Sequence, residues 1–377
     1  MKFLFTCGGT AGHVNPAVAV AGRLKKLLPD AEILFIGAAG MMETELVPRE
    51  GYPIRTVEIS NLSRSLSLDG LKHNLHTART VVRSVRDAKA ILREFSPDAV
   101  IGTGGYVCYP VISGAHKLGI PTLLHESNAV PGLTTKLLSH SVDCIMVGFE
   151  NAAEAYPAGT KVVFTGTPVR AGFETLDRTE ARRRLGIPED RRVLLSVWGS
   201  LGSDHMNGIM ADLAPLAARH KELTLIHSAG KRGYEKLRVA LKEKGWDERR
   251  DSNTEIRDYI YDMPTVMAAA DLVMCRSGAS TLGELAALGK PALLIPSPNV
   301  TNHHQEKNAR LLADAGAAVM LLEGEFDADT LMETVLKLLG DPEKLAAMSE
   351  AMRRCGVPDA ADRIADQILS CVKQTIK

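Results

Sequence analysis

The sequence carries no net charge, because its 45 lysines and arginines are balanced by 45 aspartates and glutamates. A chain without an overall basic balance is a poor candidate for nucleic-acid binding. No apolar run approaches the ~18 residues of a membrane-spanning helix, and the amino-terminal MKFLFTCGG predicts a strand rather than a secretion signal. The six cysteines are scattered without C-x-x-C pairs or zinc spacing, which predicts reduced structural thiols in a cytoplasmic protein.

Two common nucleotide-binding signatures are also missing. The Walker A pattern occurs nowhere, which argues against a nucleoside triphosphatase. The first glycine-rich loop is GGTAGH rather than G-x-G-x-x-G, and the next strand ends in FIGAAG instead of an acidic residue, so NAD binding is not favoured. The neighbouring His303 and His304 would point about 100° apart on a helix and could not easily share a metal ion.

The chain does contain a regular alternation of strand and helix patterns. Strand, glycine loop and helix begin at KFLFTCGGTAGHVNPAVAVAGRLKKL, and the same order restarts at RRVLLSVWGSLGSDHMNGIMADLAPLA. The 377 residues are enough for two domains,. We therefore predict an α/β chain of two Rossmann-like units, joined near residues 165–173, with ligands at the carboxyl ends of the strands.

Two glycine-rich loops follow strands in the first half. GGTAGH (8–13) opens a helix, and GTGGY (102–106) follows another strand. Glycines let a backbone approach a ligand closely, and a helix N-terminus favours an anion. Each loop alone could be an ordinary turn, but the pair predicts a surface of N–H groups that suits a pyrophosphate. His13 in the first loop is a candidate base or donor.

Three further segments carry polar residues at predicted strand or helix ends. HESNAVPGLTTK (125–136) lacks the G-x-S-x-G elbow of a hydrolase, so we interpret its side chains as ligand contacts. Ser200 in VWGSLGS is expected at a helix start, where it could donate to a phosphate. In NHHQEKNA, Gln305 and Asn308 lie three residues apart and are expected to contact a sugar from one helix face,.

The segment CRSGASTLGELAALGKPALLIP (275–296) combines an anion site with an acid. Backbone N–H groups of residues 279–282 and the Thr281 hydroxyl could hold a diphosphate. Glu284, about one turn further, could accept hydrogen bonds from both hydroxyls of a ribose. These roles predict a nucleoside diphosphate as ligand. The alternative is a glutamate that merely favours the helix dipole in the first turn.

Residues 55–93 are basic and amphipathic, with eight lysines and arginines against three acids. Such a segment can lie on an anionic membrane surface. An ordinary surface helix that packs its apolar side on the sheet fits the residues slightly better.

These motifs, in this order over essentially the whole chain, resemble the MurG family of peptidoglycan glycosyltransferases. The resemblance implies a GT-B fold, in which two Rossmann-like α/β domains face each other across a cleft. Residues 1–168, completed by a C-terminal helix at about 357–377, would form the acceptor and membrane-facing domain. Residues 169–356 would form the UDP-GlcNAc-binding domain.

The resemblance also implies an activity, its partners and a location. The enzyme would move N-acetylglucosamine from UDP-GlcNAc to the C4 hydroxyl of the muramoyl sugar of lipid I, with inversion, to give lipid II for the cell wall. It would need no metal and no cofactor. Its partners would be UDP-GlcNAc, lipid I, an anionic membrane surface met by residues 55–93, and other cell-wall synthesis proteins, at the cytoplasmic face of the membrane.

Matching positions assign roles to individual residues. The expected catalytic groups are His13, with Glu126 as the second candidate base. The expected substrate contacts are Thr10, Ala11, Gly12, Tyr106, Asn128, Arg170, Ser200, Ile260, Ala279, Ser280, Thr281, Leu282, Gly283, Glu284 and Gln305. The chain departs from the family where Ala11 replaces a glycine, which is tolerated if its φ is negative. Trp198 and Leu201 make the loop around Ser200 bulkier.

Three alternatives share parts of this pattern. Related GT-B transferases pass sugars to diacylglycerol or other acceptors through the same donor half. A UDP-GlcNAc 2-epimerase would use a similar cleft without an acceptor. A non-catalytic sensor of nucleotide sugars would not need two glycine loops on the acceptor side.

Overall fold

The computed structural model describes residues 1–59, 68–173 and 176–375. The chain divides into two compact units, Met1–Arg170 with Pro358–Lys377 and Ala171–Val357. No helix in the described ranges is both long and apolar enough to cross a bilayer. Within the basic segment 55–93, residues 60–67 lie outside the described residues.

The first unit is built on a parallel sheet in the order β3-β2-β1-β4-β5-β6-β7. Its strands are β1 (Lys2–Thr6), β2 (Glu32–Ala38), β3 (Ile54–Val57), β4 (Ala99–Gly102), β5 (Thr122–Glu126), β6 (Cys144–Val147) and β7 (Val162–Phe164). Its helices are α1 (Ala11–Leu27), α2 (Glu43–Arg49), α3 (Leu68–Phe95), α4 (Cys108–His116) and α5 (Leu133–Leu138), with a 3-10 helix at Glu150–Ala155.

The second unit is built on a parallel sheet in the order β10-β9-β8-β11-β12-β13. Its strands are β8 (Arg192–Val197), β9 (Leu223–Ser228), β10 (Thr254–Arg257), β11 (Leu272–Cys275), β12 (Ala292–Leu294) and β13 (Ala318–Met320). Its helices are α6 (Arg178–Leu185), α7 (Asp204–Arg219), α8 (Tyr234–Glu243), α9 (Met263–Ala269), α10 (Ala279–Leu288), α11 (His304–Asp314), α12 (Ala328–Leu339) and α13 (Pro342–Arg354), with a 3-10 helix at Thr301–His303. The two sheets confirm the predicted α/β fold of two Rossmann-like units.

The last helix, α14 (Ala360–Thr375), belongs to the first unit and packs on α1. Its Ile364 and Ile368 are fully buried in the same cluster as Phe3 and Phe5 of β1. Alternate residues of that strand point to opposite faces, so Leu4 joins the other cluster, with residues of α3 and α4,. Helices therefore cover both faces of this parallel sheet, which explains its continuous apolar strands.

Each sheet has one point at which the order of its strands reverses. In the first unit this point lies between β1 and β4, and in the second between β8 and β11. Loops that leave the carboxyl ends of such strand pairs diverge to opposite sides and open a crevice, in which α/β folds bind ligands. The glycine loops 8–13 and 102–106 flank the first crevice, and the loops after β8 and β11 flank the second.

A buried histidine in the second unit makes its stability depend on pH. His227 is fully buried on β9, between the Ser196 hydroxyl (3.0 Å from Nδ1) and the Asn207 side-chain oxygen (3.2 Å from Nε2). Burial lowers its pKa from 6.5 to about 3. The unfolded chain therefore binds a proton near pH 6.5 that the folded chain does not, and stability falls as pH drops below that value.

We expect the free energy of unfolding to decrease between pH 7 and pH 5 by about 2 kcal/mol more in the natural protein than in H227Q. Urea unfolding at both pH values measures the difference. The exposed His205 supplies the matched control H205Q, which should keep the natural pH slope. An H227Q slope equal to that of the natural protein would contradict the assignment.

Candidate active site

The two glycine loops of the first unit contact each other through their backbones. The Gly8 N–H donates to the Gly104 carbonyl at 3.1 Å. The Thr103 hydroxyl donates to the His13 carbonyl at 2.7 Å, which ties the start of α1 to the second loop. The loops predicted to act together therefore form one surface at the reversal point of the first sheet.

Two glycines make this contact possible. Gly104 has φ +119°, and a Cβ there would lie 2.5 Å from Cδ2 of His13. Gly105 has φ +92°, and a Cβ there would lie 2.4 Å from the Gly8 carbonyl oxygen. Any other residue at these positions would push the histidine or the first loop away, since both distances are shorter than real carbon contacts.

His13 is the third residue of α1 and is half-buried. Its Nδ1 lies 2.8 Å from the Gly8 carbonyl oxygen, and Thr10 Oγ1 lies 3.5 Å from the same nitrogen. A carbonyl oxygen only accepts hydrogen bonds, so Nδ1 carries the hydrogen. In this tautomer Nε2 presents its lone pair, as a base requires.

The predicted contact residues Thr10, Ala11 and Gly12 form the start of α1. Thr10 is the exposed N-cap and makes no side-chain cap, and no acidic residue lies in the first turn. This helix end therefore keeps its partial positive charge and its N–H donors for an anion. Ala11 lies inside the helix and has no positive φ, so alanine is tolerated where the family has glycine. Tyr106, in the second loop, is half exposed.

Glu126, the second candidate base, ends β5 and is almost completely buried. Oε1 accepts from the backbone and side-chain N–H groups of Asn128, both at 3.1 Å. Oε2 accepts from the Gly132 N–H at 2.9 Å and the Thr135 hydroxyl at 2.8 Å. Since four donors occupy this carboxylate, its geometry favours organising the loop after β5 over taking a proton from a substrate.

The neighbouring His125 and Ser127 are also buried. His125 Nε2 lies 2.9 Å from the Gly166 carbonyl oxygen, and its Nδ1 lies 3.2 Å from the Ser127 hydroxyl. Burial lowers the pKa of His125, so the ring is neutral. This pair links the loops after β5 and β7 and offers no exposed nucleophile.

In the second unit, the predicted diphosphate site is the start of α10. Its N-cap is Gly278, which has no side chain to cap the first N–H groups. Glu284 is the sixth residue of the helix and is 6% exposed. The alternative of a glutamate in the first turn is therefore wrong, because Glu284 lies in the second turn. Gly289 ends the helix with φ +61°.

Two positions in this unit differ from expectation. Ser200 lies in a turn, because α7 begins only at Asp204 and its N-cap is Ser203. Asn308 is fully buried and donates to the Ser277 carbonyl at 3.2 Å, so it is not exposed to a sugar. Gln305 remains partly exposed, and its side-chain oxygen accepts from the Ser297 N–H at 2.9 Å.

The remaining predicted contacts are placed as follows. Ile260 is buried in the loop after β10, between Tyr259 and Tyr261, whose ring centroids lie 4.8 Å apart. Arg170, expected in the second domain, ends the first unit, where its guanidinium lies 4.0 Å from Glu50.

Two charged residues with little solvent exposure were not predicted. Arg276 donates to the Ile295 carbonyl (3.1 Å) and the Ser203 hydroxyl (3.0 Å), pairs with Glu323 and lies over the Trp198 ring, 5.7 Å from its centroid. It thus joins four loops of the second unit, and Trp198, the departure from the family, packs beneath it. Glu43, the first residue of α2, lies under the first glycine loop. The available signal was a charged residue among apolar or small residues. The sequence does not indicate which groups either residue contacts.

The structure brings the predicted residues of each unit to the carboxyl edge of its own sheet. Glycine loops, His13, Tyr106 and Asn128 share the edge of the first sheet. Ser200, Ile260, residues 279–284 and Gln305 share the edge of the second. In the described ranges no three His, Cys, Asp or Glu side chains are grouped as a metal site.

Comparison with known proteins identifies two matching families. The glycosyltransferase family 28 N-terminal domain matches residues 3–147, and the glycosyltransferase family 28 C-terminal domain matches residues 193–364. A relative from Acetivibrio thermocellus, named UDP-N-acetylglucosamine–N-acetylmuramyl-(pentapeptide) pyrophosphoryl-undecaprenol N-acetylglucosamine transferase, is 42% identical over 376 residues, which cover 99% of each chain. A Bacillus cereus relative of the same name, numbered 1, is 41% identical and covers 99% of this chain and 100% of its own.

Solved structures agree with this match. The crystal structure of MurG from Acinetobacter baumannii superposes with a TM-score of 0.73 at 28% identity, covering 98% of this chain and 99% of that one. A UDP-GlcNAc 2-epimerase from Neisseria meningitidis superposes with a TM-score of 0.67 at 16% identity, covering 98% and 100%. The second likeness shows a shared fold only.

Proposed function

The chain belongs to the MurG family of glycosyltransferases, and from this premise we propose how its residues carry out that reaction. It is a UDP-GlcNAc-dependent enzyme that transfers N-acetylglucosamine to the C4 hydroxyl of the muramoyl sugar of lipid I, with inversion, and produces lipid II for peptidoglycan. The observation that carries this proposal is 42% identity, over 99% of the chain, to a curated transferase. The same reaction serves cell shape and cell division.

The second unit binds the donor. The N–H groups at the start of α10 and the Thr281 hydroxyl hold the diphosphate, because Gly278 leaves that helix end uncapped,. Residues 279–283 stay small or apolar there, so the ligand can approach the backbone. Glu284 lies one turn deeper and accepts hydrogen bonds from the ribose hydroxyls, which places its charge away from the phosphates.

The family resemblance assigns further donor contacts. Backbone groups of Ile260 contact the uracil, while Ser200 and Arg170 lie near the phosphates. Asn128 and Gln305 contact hydroxyls of the N-acetylglucosamine. The Gln305 oxygen already accepts from Ser297, so its NH2 group is the part that donates to the sugar.

We expect E284Q to raise the KM for UDP-GlcNAc by about 10–100-fold, since a hydrogen bond to a charged acceptor contributes about 1.5–3 kcal/mol. A donor with 2′-deoxyribose should be a poorer substrate for the natural enzyme but should lose little further in E284Q. Steady-state kinetics with both donors measures this. E333Q, an exposed change on α12, is the control, and an unchanged KM in E284Q would refute the ribose contact.

The first unit binds the acceptor. The uncapped start of α1 and the two glycine loops hold the pyrophosphate of lipid I, with Thr10, Ala11, Gly12 and Tyr106 along the sugar. His13 Nε2 takes the proton of the C4 hydroxyl as the oxygen forms its bond to the anomeric carbon. The bond from that carbon to UDP breaks, and its electron pair leaves with UDP, whose charge the start of α10 stabilises.

Release of UDP separates this function from its alternatives. We expect the purified protein to release UDP from UDP-GlcNAc only with a short-chain lipid I analogue, and to form a β-linked disaccharide. Diacylglycerol in place of lipid I should give no release. Conversion of UDP-GlcNAc alone, followed by NMR, would instead indicate the 2-epimerase reaction, and release with diacylglycerol another GT-B transferase.

The enzyme acts as a peripheral protein at the cytoplasmic face of the membrane, where its lipid acceptor lies. Within the basic segment, the described end of α3 supports this surface. Val82 is 72% exposed, and the neighbouring Arg83 and Arg86 side chains are 68% and 78% exposed. Both arginines pair with Asp87 only at 3.5–3.7 Å, a weak surface interaction that anionic lipid can replace. Other cell-wall synthesis proteins are further partners there.

The double variant R83S/R86S should bind vesicles of phosphatidylglycerol about 10–30-fold more weakly, because each basic side chain near such a surface contributes about 1 kcal/mol. Co-sedimentation at low and high salt measures the effect, which salt should diminish. K236S/R238S removes two charges from α8 of the second unit and should leave binding intact. Equal binding by both double variants would exclude α3 as the membrane contact.

A further inference from the structure

We propose that Glu43 is a positioning residue for His13 and that it acts through the peptide group between Gly8 and Gly9. The proposal deepens the acceptor site and rests on the proposed role of His13 as base. Three groups form the relay: the Glu43 carboxylate, the peptide, and the imidazole.

The Glu43 carboxylate is buried and bound by specific partners. Glu43 is 0% exposed, and a carboxylate is rarely buried without strong partners. Oε2 accepts from the Gly9 N–H at 2.9 Å, and Oε1 accepts from the Ala38 N–H at 2.8 Å. The side chain therefore joins the loop after β1 to the end of β2.

The sequence reserves space for this side chain. A Cβ at Gly8 would lie 2.5 Å from Glu43 Oε1, and a Cβ at Gly37 would lie 2.5 Å from Glu43 Cγ. Neither glycine has a positive φ, so backbone conformation does not require glycine at these two positions. Their common requirement is the room that Glu43 occupies.

The peptide that Glu43 holds is the one that orients the base. The N–H of Gly9 and the C=O of Gly8 belong to a single planar peptide group. Its N–H donates to Glu43, while its C=O accepts from His13 Nδ1 at 2.8 Å. Hydrogen bonds in such a chain polarise one another, so the carboxylate makes the Gly8 oxygen a stronger acceptor.

The arrangement works as the acidic member of a catalytic triad does, with a peptide inserted. It holds the imidazole in the tautomer with hydrogen on Nδ1 and stabilises the imidazolium that forms when Nε2 takes the hydroxyl proton. That proton later passes from Nε2 to solvent, which returns the ring to its starting state. Glu43 exchanges no proton with the substrate.

Two titratable groups interact electrostatically with the Glu43 carboxylate. They are the thiols of Cys7, at the end of β1, and Cys108, on α4. Burial raises the pKa of both thiols, that of Cys108 to about 12, so both are neutral. Around the imidazole the described contacts are Thr10, the Gly8 carbonyl and Gly104, none of which titrates.

The tautomer can be measured in the natural protein without any substitution. In 15N-labelled protein, long-range 1H–15N spectra at a pH where His13 is neutral should show its hydrogen on Nδ1. H13Q identifies the signal by its loss. Hydrogen on Nε2 would overturn the relay, whatever reaction the enzyme catalyses.

The variant E43Q tests the charge. Glutamine fills the same space, but its NH2 group faces one of the two N–H donors and it carries no charge. We expect kcat to fall about 10–100-fold, as for the loss of one hydrogen bond to a charged group, with the KM for UDP-GlcNAc unchanged. The acid limb of the pH profile of kcat/KM should move to lower pH, because the imidazolium loses its stabilising charge.

D98N is the matched control. Asp98 also accepts a backbone N–H of the first sheet, that of Lys2 at 2.7 Å, but at the opposite, amino end of β1. The D98N variant should have a lower melting temperature but the same kcat and pH profile as the natural protein. If E43Q behaves like D98N, Glu43 is only structural and the proposal fails.

H13A separates this failure from failure of the proposed function. It should reduce kcat by about 10²–10⁴, as expected for loss of a general base. An active H13A would remove the base itself, while a natural enzyme inactive toward lipid I would overturn the function. An inactive H13A together with an unaffected E43Q would overturn the relay alone.

Discussion

The close approach of Gly105 to the backbone of Gly8 brings the loops after β1 and β4 into contact, at the point where the order of the first sheet reverses. Because these strands are neighbours and parallel, their loops leave the sheet at the same edge. Without side chains at Gly104 and Gly105, the second loop lies against the first and against the ring of His13. The direction of the imidazole, the N–H surface of α1 and the place of Tyr106 all depend on this contact.

Buried carboxylates hold the surrounding loops in a common way. Glu126 gathers four donors from the loop after β5 and the start of α5, and Glu43 gathers two, one from the loop after β1 and one from the end of β2. In the second unit Arg276 has the complementary role, because its guanidinium donates to loop oxygens and pairs with Glu323. Hydrogen bonds to charged groups are stronger than those between neutral groups. A loop held by them therefore has few alternative conformations.

An acid next to an anion site is compatible with binding because of where the helix places it. The N–H groups of α10 point from its first turn, whereas Glu284 is buried in the second. A ligand that carries a diphosphate and a ribose satisfies both features at once. These two features of one helix therefore support the proposed nucleoside diphosphate over a simple phosphate as the ligand.

Local pattern was sufficient for the parallel α/β fold, for the glycine loops, for His13 at a helix start and for α10, because each depends on residues close in the chain. The predicted positions of Ser200 and Asn308 were wrong. The Ser203 cap sets the start of α7, after Ser200, and Asn308 is buried against the loop that it holds. Glu43 and Arg276 could not be found, because Glu43 lies 34 residues from the Gly9 N–H and Arg276 lies 73 residues from Ser203. The sequence by itself determined which residues are candidates for the chemistry, and only the tertiary structure decided which charged groups hold their loops, since those partners meet through the sheet and not along the chain.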